Sequence, residues 1–152
     1  MDFYWLIEGE VAGHSQPHKE ADLSFLNGMG IKALVRMSTA PHVTREQILK
    51  SGMEQDLYVP VPDYSPPSQE QLQQMVDFIC KCVSAGKPVA VSCAAGIGRT
   101  GTVLACYLAK RYSTAEGVIE IVRKVRPGAA ETQSQIEAIE TFISNLHGKK
   151  EK

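Results

Sequence analysis

The chain has 152 residues, 43% of them hydrophobic, and its 16 Lys and Arg stand against 17 Asp and Glu for a formal charge of −1. That size and apolar content suit one compact domain that buries a core without disulfides or metals, and the near-neutral balance argues against duplex DNA or an anionic membrane as partner. The four cysteines, Cys80, Cys82, Cys93 and Cys106, lack the spacing of a disulfide framework. No stretch approaches the ~18 apolar residues of a membrane span, and the first ten residues show neither a basic nor a long apolar leader segment. A cytoplasmic protein in a reducing compartment is expected.

In chain order, residues 3–7 read as an edge strand. Residues 17–27 follow as a helix stopped by Gly28 and Gly30, since glycine accepts the left-handed conformation that ends helices. A strand over 31–37 precedes a short helix over 44–51 and a second strand over 56–61, which stops where Pro62, Pro66 and Pro67 remove backbone donors. Ser68 with Gln71 forms a capping box, and Leu72, Met75, Val76, Ile79 and Val83 recur at helical spacing up to Gly86. Residues 88–92, β-branched at Val89 and Val91 and too short for a helix, form a buried strand. Helices are expected over 99–112, from Ser113 with Glu116 to about Val125, and from Thr132 with Gln135 through Leu146, with residues 149–152 as a frayed basic tail. Strands alternate with helices, so the expected fold is α/β, one domain over 1–148 with a central, mainly parallel sheet flanked by helices.

Between the strand ending at Ser92 and the helix after Arg99 lies Cys93-Ala94-Ala95-Gly96-Ile97-Gly98-Arg99-Thr100-Gly101. Ligands of open α/β sheets bind at the carboxyl ends of strands. Gly96 and Gly98 allow successive amides to turn inward as a nest, and the next helix aims its positive end at the same point. Such a concavity takes an anion. Arg99 adds a planar fork able to hold two phosphate oxygens at once, and the same field favours the thiolate of Cys93, the form that attacks phosphorus. Thr100 is placed to hydrogen-bond the sulfur as a leaving group.

The Cys-x2-Gly-x-Gly-Arg-Thr-Gly run resembles the signature loop of the cysteine-based protein-tyrosine phosphatases, and nearest among them the small, single-domain, atypical dual-specificity phosphatases. The likeness extends through Trp5-Leu6-Ile7, Ala12-Gly13, Pro62-Asp63-Tyr64-Ser65-Pro66-Pro67, Val122-Arg123 and Arg126-Pro127-Gly128. The resemblance implies Cys93 as nucleophile, Arg99 as phosphate clamp, Asp63 as general acid, Thr100 beside the sulfur, and the backbone of Ala94, Ala95, Gly96, Ile97, Gly98 and Arg99 as the substrate cradle. It implies no metal and no cofactor, a phosphorylated protein or peptide as substrate, and phosphate or other oxyanions as ligands. Glu131 stands where relatives carry a Gln that positions water, with Gln135 as a second polar group. Ser92 stands where relatives usually carry His, so the residue before the nucleophile brings no imidazole.

Plainer readings accompany these. Cys80, Cys82 and Cys106 lie on expected helices and suit buried packing. Asp63 beside Pro62 suits a turn, Glu131 near a helix start suits the dipole, and Arg126 suits bracing of loops. His14 and His18 have a zinc spacing for a helix, but Pro17 between them favours a loop. Two other functions share the residues: a phosphate-recognition module without efficient catalysis, and the same chemistry on an RNA 5′ triphosphate or a phosphoinositide. Ala94 and Ala95 offer no extra cations for such highly charged groups.

Overall fold

The computed structural model describes residues 1–114 and 116–151, with side chains described up to Gly148. Five strands, β1 (Phe3–Ile7), β2 (Val11–Ser15), β3 (Ala33–Arg36), β4 (Gln55–Tyr58) and β5 (Val89–Cys93), form one sheet in the order β1-β2-β5-β3-β4. β1 pairs antiparallel with β2 and every other pairing is parallel. The α/β architecture expected from the alternating pattern is therefore present.

β2 is the element missing from the sequence reading, which assigned no strand between residues 7 and 17. Its sequence Val11-Ala12-Gly13-His14-Ser15 lacks apolar alternation because it is buried on both faces, as inner parallel strands are. Gly13 pairs with Tyr4 across the sheet, and the Tyr4 ring fills the space that a Cβ at Gly13 would need. This lets the Tyr4 side chain cross β2.

The helices α1 (Glu20–Gly28), α2 (Arg45–Lys50), α3 (Gln69–Ser84), α4 (Gly98–Arg111), α5 (Val118–Val125) and α6 (Gln133–Glu151) cover the sheet. Leu23, Leu26 and Ile48 from α1 and α2 pack with Ala12, Leu34 and Ala90 in one cluster, while α3 to α6 build the larger core around Val11, Val35, Val91, Leu104, Tyr107 and Ile139. α4 is buried on nearly all sides from residue 98 to 109.

Capping boxes at Thr44 and Ser68 start α2 and α3, and reciprocal bonds between Thr132 and Gln135 start α6. α1 begins three residues later than expected from Pro17, after an extended Lys19. Ser113 and Glu116 do not open α5. Ser113 takes a left-handed φ of 52°, Gly117 follows at 74°, and the helix starts at Val118. α6 passes the expected end at Leu146. The expectation of a frayed tail concerns side chains and a terminal residue outside the described part.

At Gly101, on α4, a Cβ would lie 2.7 Å from Ala129 Cβ and 2.9 Å from the Ala130 nitrogen. Gly101→Val should therefore lose about 1–3 kcal/mol of stability through overpacking, read as a lower urea midpoint at an unchanged slope.

Candidate active site

Cys93 ends β5, at the centre of the sheet, and its side chain is buried. Residues 94–97 form the loop, and α4 opens at Gly98 with its positive end facing it. Four carbonyls of residues 94–98, those of Ala94, Gly96, Ile97 and Gly98, are each held by a different donor. Gln16 N–H donates to the Ala94 carbonyl at 3.2 Å, the Tyr4 hydroxyl to the Gly96 carbonyl at 2.8 Å, Gly101 N–H to the Ile97 carbonyl at 2.8 Å, and the Thr102 hydroxyl to the Gly98 carbonyl at 2.8 Å. Turning the carbonyls away leaves the opposite ends of the peptides to face inward. Among the described residues no loop, turn or side-chain acceptor engages the amides of 94–99.

Gly96 has φ of 75°, a left-handed conformation, and a Cβ there would sit 2.5 Å from the His14 carbonyl carbon and 2.6 Å from its oxygen. Both the dihedral and the close approach to β2 demand glycine. Burial, together with the nearby Cys93, raises the proton affinity of the Tyr4 phenol far above its usual range, so Tyr4 remains a donor to Gly96.

The Thr100 hydroxyl lies 3.0 Å from Cys93 Sγ. Arg99 is buried, and its Nη1 donates to the Val61 carbonyl at 2.6 Å while Nη2 lies 3.4 Å from Asp63 Oδ1. Its Nε is buried without a partner among the described residues. The guanidinium is thus fixed from the Pro62 side, and the structure brings Asp63 to the same cation. The Asp63 side chain is 57% exposed, and Tyr64 after it holds an uncommon φ of 63°.

Two contacts tie that segment to the start of α6: the Thr132 hydroxyl donates to the Tyr64 carbonyl at 3.2 Å and Gln135 Nε2 to the Ser65 carbonyl at 3.4 Å. Glu131 and Gln135 both cover Gly98, where a Cβ would meet Glu131 Oε1 at 2.5 Å and Gln135 Nε2 at 3.0 Å. Cys93, Asp63, Arg99, Thr100, Glu131 and Gln135 therefore share one mouth. Bracing of the adjoining loop falls to Arg123 and not, as the sequence suggested, to Arg126. Arg123 donates to the carbonyls of Ala129 and Ala130 at 2.9 and 3.1 Å, whereas among the described residues Arg126 pairs with Asp2, at 3.6 Å.

Burial pushes the thiols of Cys80, Cys82 and Cys106 up, away from the reactive anion. His14 and His18 do not share a site: the His18 ring stacks at 4.4 Å on His42, while His14 is fully buried in the sheet. His14 is the residue that spacing alone could not interpret. It is the cross-strand partner of Ser92, so an imidazole stands beside the residue preceding Cys93 although Ser92 itself supplies none.

A five-stranded mixed sheet with a Cys-to-Arg anion loop at its centre defines the class of cysteine-dependent phosphatases. The family model for the DSP-PTPase phosphatase of polymorphic toxin systems matches residues 10–113, and the chain belongs to this phosphatase family. Human dual specificity protein phosphatase CDC14A is 29% identical over 143 residues, 84% of this chain and 23% of that protein. The phosphatidylglycerophosphate phosphatase PTPMT2 of Arabidopsis thaliana is 32% identical over 124 residues, 80% of this chain and 54% of that protein. The chain thus spans about a quarter of the length of the first of these relatives and about half of the second. The crystal structure of Tk-PTP in its active form superposes with a TM-score of 0.84 at 30% identity, covering 93% of this chain and 96% of that one.

Burial pushes His14 down to about 4 from 6.5, against a hydrogen bond to Ser15 and the charge of Asp22. The unfolded chain takes up the proton first, so the stability His14 contributes is complete above pH 6.5 and is lost as the pH falls toward 4. The full effect is about 3 kcal/mol. Urea midpoints should therefore fall more steeply on acidification in the parent than in His14→Asn, which has no titrating group there.

Proposed function

We propose that the chain hydrolyses phosphate monoesters of proteins, phosphotyrosine foremost and phosphoserine or phosphothreonine in addition, through a cysteinyl-phosphate intermediate. The observation that carries this reading is Cys93 Sγ, 3.0 Å from the Thr100 hydroxyl, at the base of a loop whose Ala94 and Gly96 carbonyls are engaged by donors from β2 and β1. Four free thiols suit a reducing, cytoplasmic setting, and no helix among the described residues is long and apolar enough to cross a membrane.

The substrate phosphate enters the cradle and accepts hydrogen bonds from the amides of 94–99 and from Arg99. A dianion at Arg99 competes with Asp63 for the guanidinium and frees its carboxyl toward the leaving group. Cys93 Sγ attacks phosphorus in line. The S–P bond forms as the P–O bond breaks, and the Asp63 proton passes to the departing oxygen. In the second half water attacks phosphorus, Asp63 takes its proton, and the P–S bond breaks with Thr100 donating to the sulfur. Glu131 and Gln135, both over Gly98, are positioned to orient that water. Nucleophile, acid and clamp are all side chains, so the chemistry calls for no metal or cofactor, and rate enhancement rests on fixed dipoles around the equatorial oxygens.

A second reading takes a phosphorylated lipid as substrate, favoured by the 32% identity to a phosphatidylglycerophosphate phosphatase. Loss of catalysis, leaving a phosphate-recognition module, is disfavoured by the joint presence of Cys93, Arg99 and Asp63 at one mouth. Comparing kcat/KM for phosphotyrosine peptides, phosphoserine peptides and phosphatidylglycerophosphate vesicles separates the substrates. Peptide turnover without added metal is expected, and vesicle turnover alone would transfer the function to lipid.

Cys93→Ser should abolish turnover of para-nitrophenyl phosphate while vanadate still binds. Asp63→Asn should lower kcat by about 10²–10⁴-fold on alkyl phosphates, and less on para-nitrophenyl phosphate, whose leaving group needs little protonation. Equal losses on both esters would remove Asp63 from the acid role.

A further inference from the structure

The phosphate loop presents its amides only while its carbonyls stay outside, and for Ala94 the holding donor is Gln16 N–H. That N–H and the Ser15 carbonyl are the two ends of one planar peptide, so orienting one orients the other. The Ser15 carbonyl lies 2.8 Å from His14 Nδ1. A carbonyl only accepts, so the proton of the neutral imidazole is on Nδ1 and Nε2 is left as a bare acceptor. The result is a continuous line: His14 Nδ1–H to Ser15 carbonyl, through the peptide, then Gln16 N–H to Ala94 carbonyl. Such chains polarise each member in the same sense.

We infer that His14 is a positioning residue for the reaction: its Nδ1–H fixes the Ser15–Gln16 peptide, which in turn keeps the Ala94 carbonyl out of the phosphate cradle. Three further observations point the same way. The backbone of His14 is the surface against which Gly96 closes, at 2.5 and 2.6 Å from a Cβ there, so both Ala94 and Gly96 rest on this one segment. The ring is fully buried, and its Nε2 finds no partner among the described residues. An unsatisfied buried acceptor costs about 1–3 kcal/mol, which an aliphatic side chain at the same position would avoid. Packing alone therefore does not account for a histidine, whereas the Nδ1 contact does. Finally, the adjacent strand offers Ser92, whose short side chain contributes no ring to the same row.

This role presupposes the phosphatase reaction proposed above, and the test separates the two. The variants are His14→Leu, His14→Asn and His14→Gln. Asn places its amide nitrogen near the Nδ1 position, while Gln carries it one bond further, toward Nε2. Steady-state kinetics on a phosphotyrosine peptide, calorimetric titration with inorganic phosphate and urea unfolding are measured for each. Leu and Gln should lower kcat by about 10²-fold, the scale of a misplacement near 1 Å, and weaken phosphate binding in parallel. Leu should be no less stable than the parent. Asn should restore most of the rate and of the phosphate affinity. Parental kcat in Leu, or equal impairment of Asn and Gln, overturns the proposal. If Leu does not fold, the contrast between Asn and Gln decides alone. If the parent itself turns nothing over, the phosphatase reading fails, yet phosphate titration of Asn against Gln still decides the role of His14.

Discussion

Everything at the site depends on a short run of peptides held with their oxygens outward. A backbone oxygen turned into the cradle would repel an anion and compete for the amides that should bind it. The fold prevents this with donors from widely separated parts of the chain: Gln16 after β2, Tyr4 in β1, and Gly101 and Thr102 in α4. The sheet order makes it possible. With β2 between β1 and β5, the end of β2 lies directly beside the loop, and Gly13 lets the Tyr4 ring pass over it to Gly96.

The chain as a whole carries almost no net charge, so attraction for an anion is local. It comes from the α4 terminus, the inward amides and one buried guanidinium. Arg99 is tied to the Val61 carbonyl and to Asp63, which in the proposed reaction couples the arrival of phosphate to the release of the carboxyl assigned as proton donor. The contacts from Thr132 and Gln135 to the backbone of Tyr64 and Ser65 link this segment to the start of α6. On that proposal, binding, proton delivery and water placement share one mechanical frame.

The parts legible in the sequence were those with local signals. The loop is a contiguous run with glycines at the positions that need them, and Ser68 and Thr132, each with a Gln three residues on, announce helix starts. Asp63 was singled out by the resemblance to the phosphatase family, and only the fold shows that its segment reaches Arg99. What escaped depends on pairing across the sheet. β2 has no alternation to detect because both its faces are buried, and His14 gains its meaning only from a register that sets it beside Ser92. Ser113 and Glu116 misled because a capping pattern is blind to backbone handedness, and left-handed Ser113 and Gly117 delay α5 to Val118.

The central claim is that inward amides, with Arg99, form an oxyanion site around Cys93. A crystal structure of the protein soaked with vanadate tests it most directly. The account predicts vanadium next to Cys93 Sγ, its equatorial oxygens within hydrogen-bond distance of the amides of 94–99 and of the Arg99 guanidinium. Vanadate bound elsewhere, or a loop that presents its carbonyls to Cys93, would contradict it.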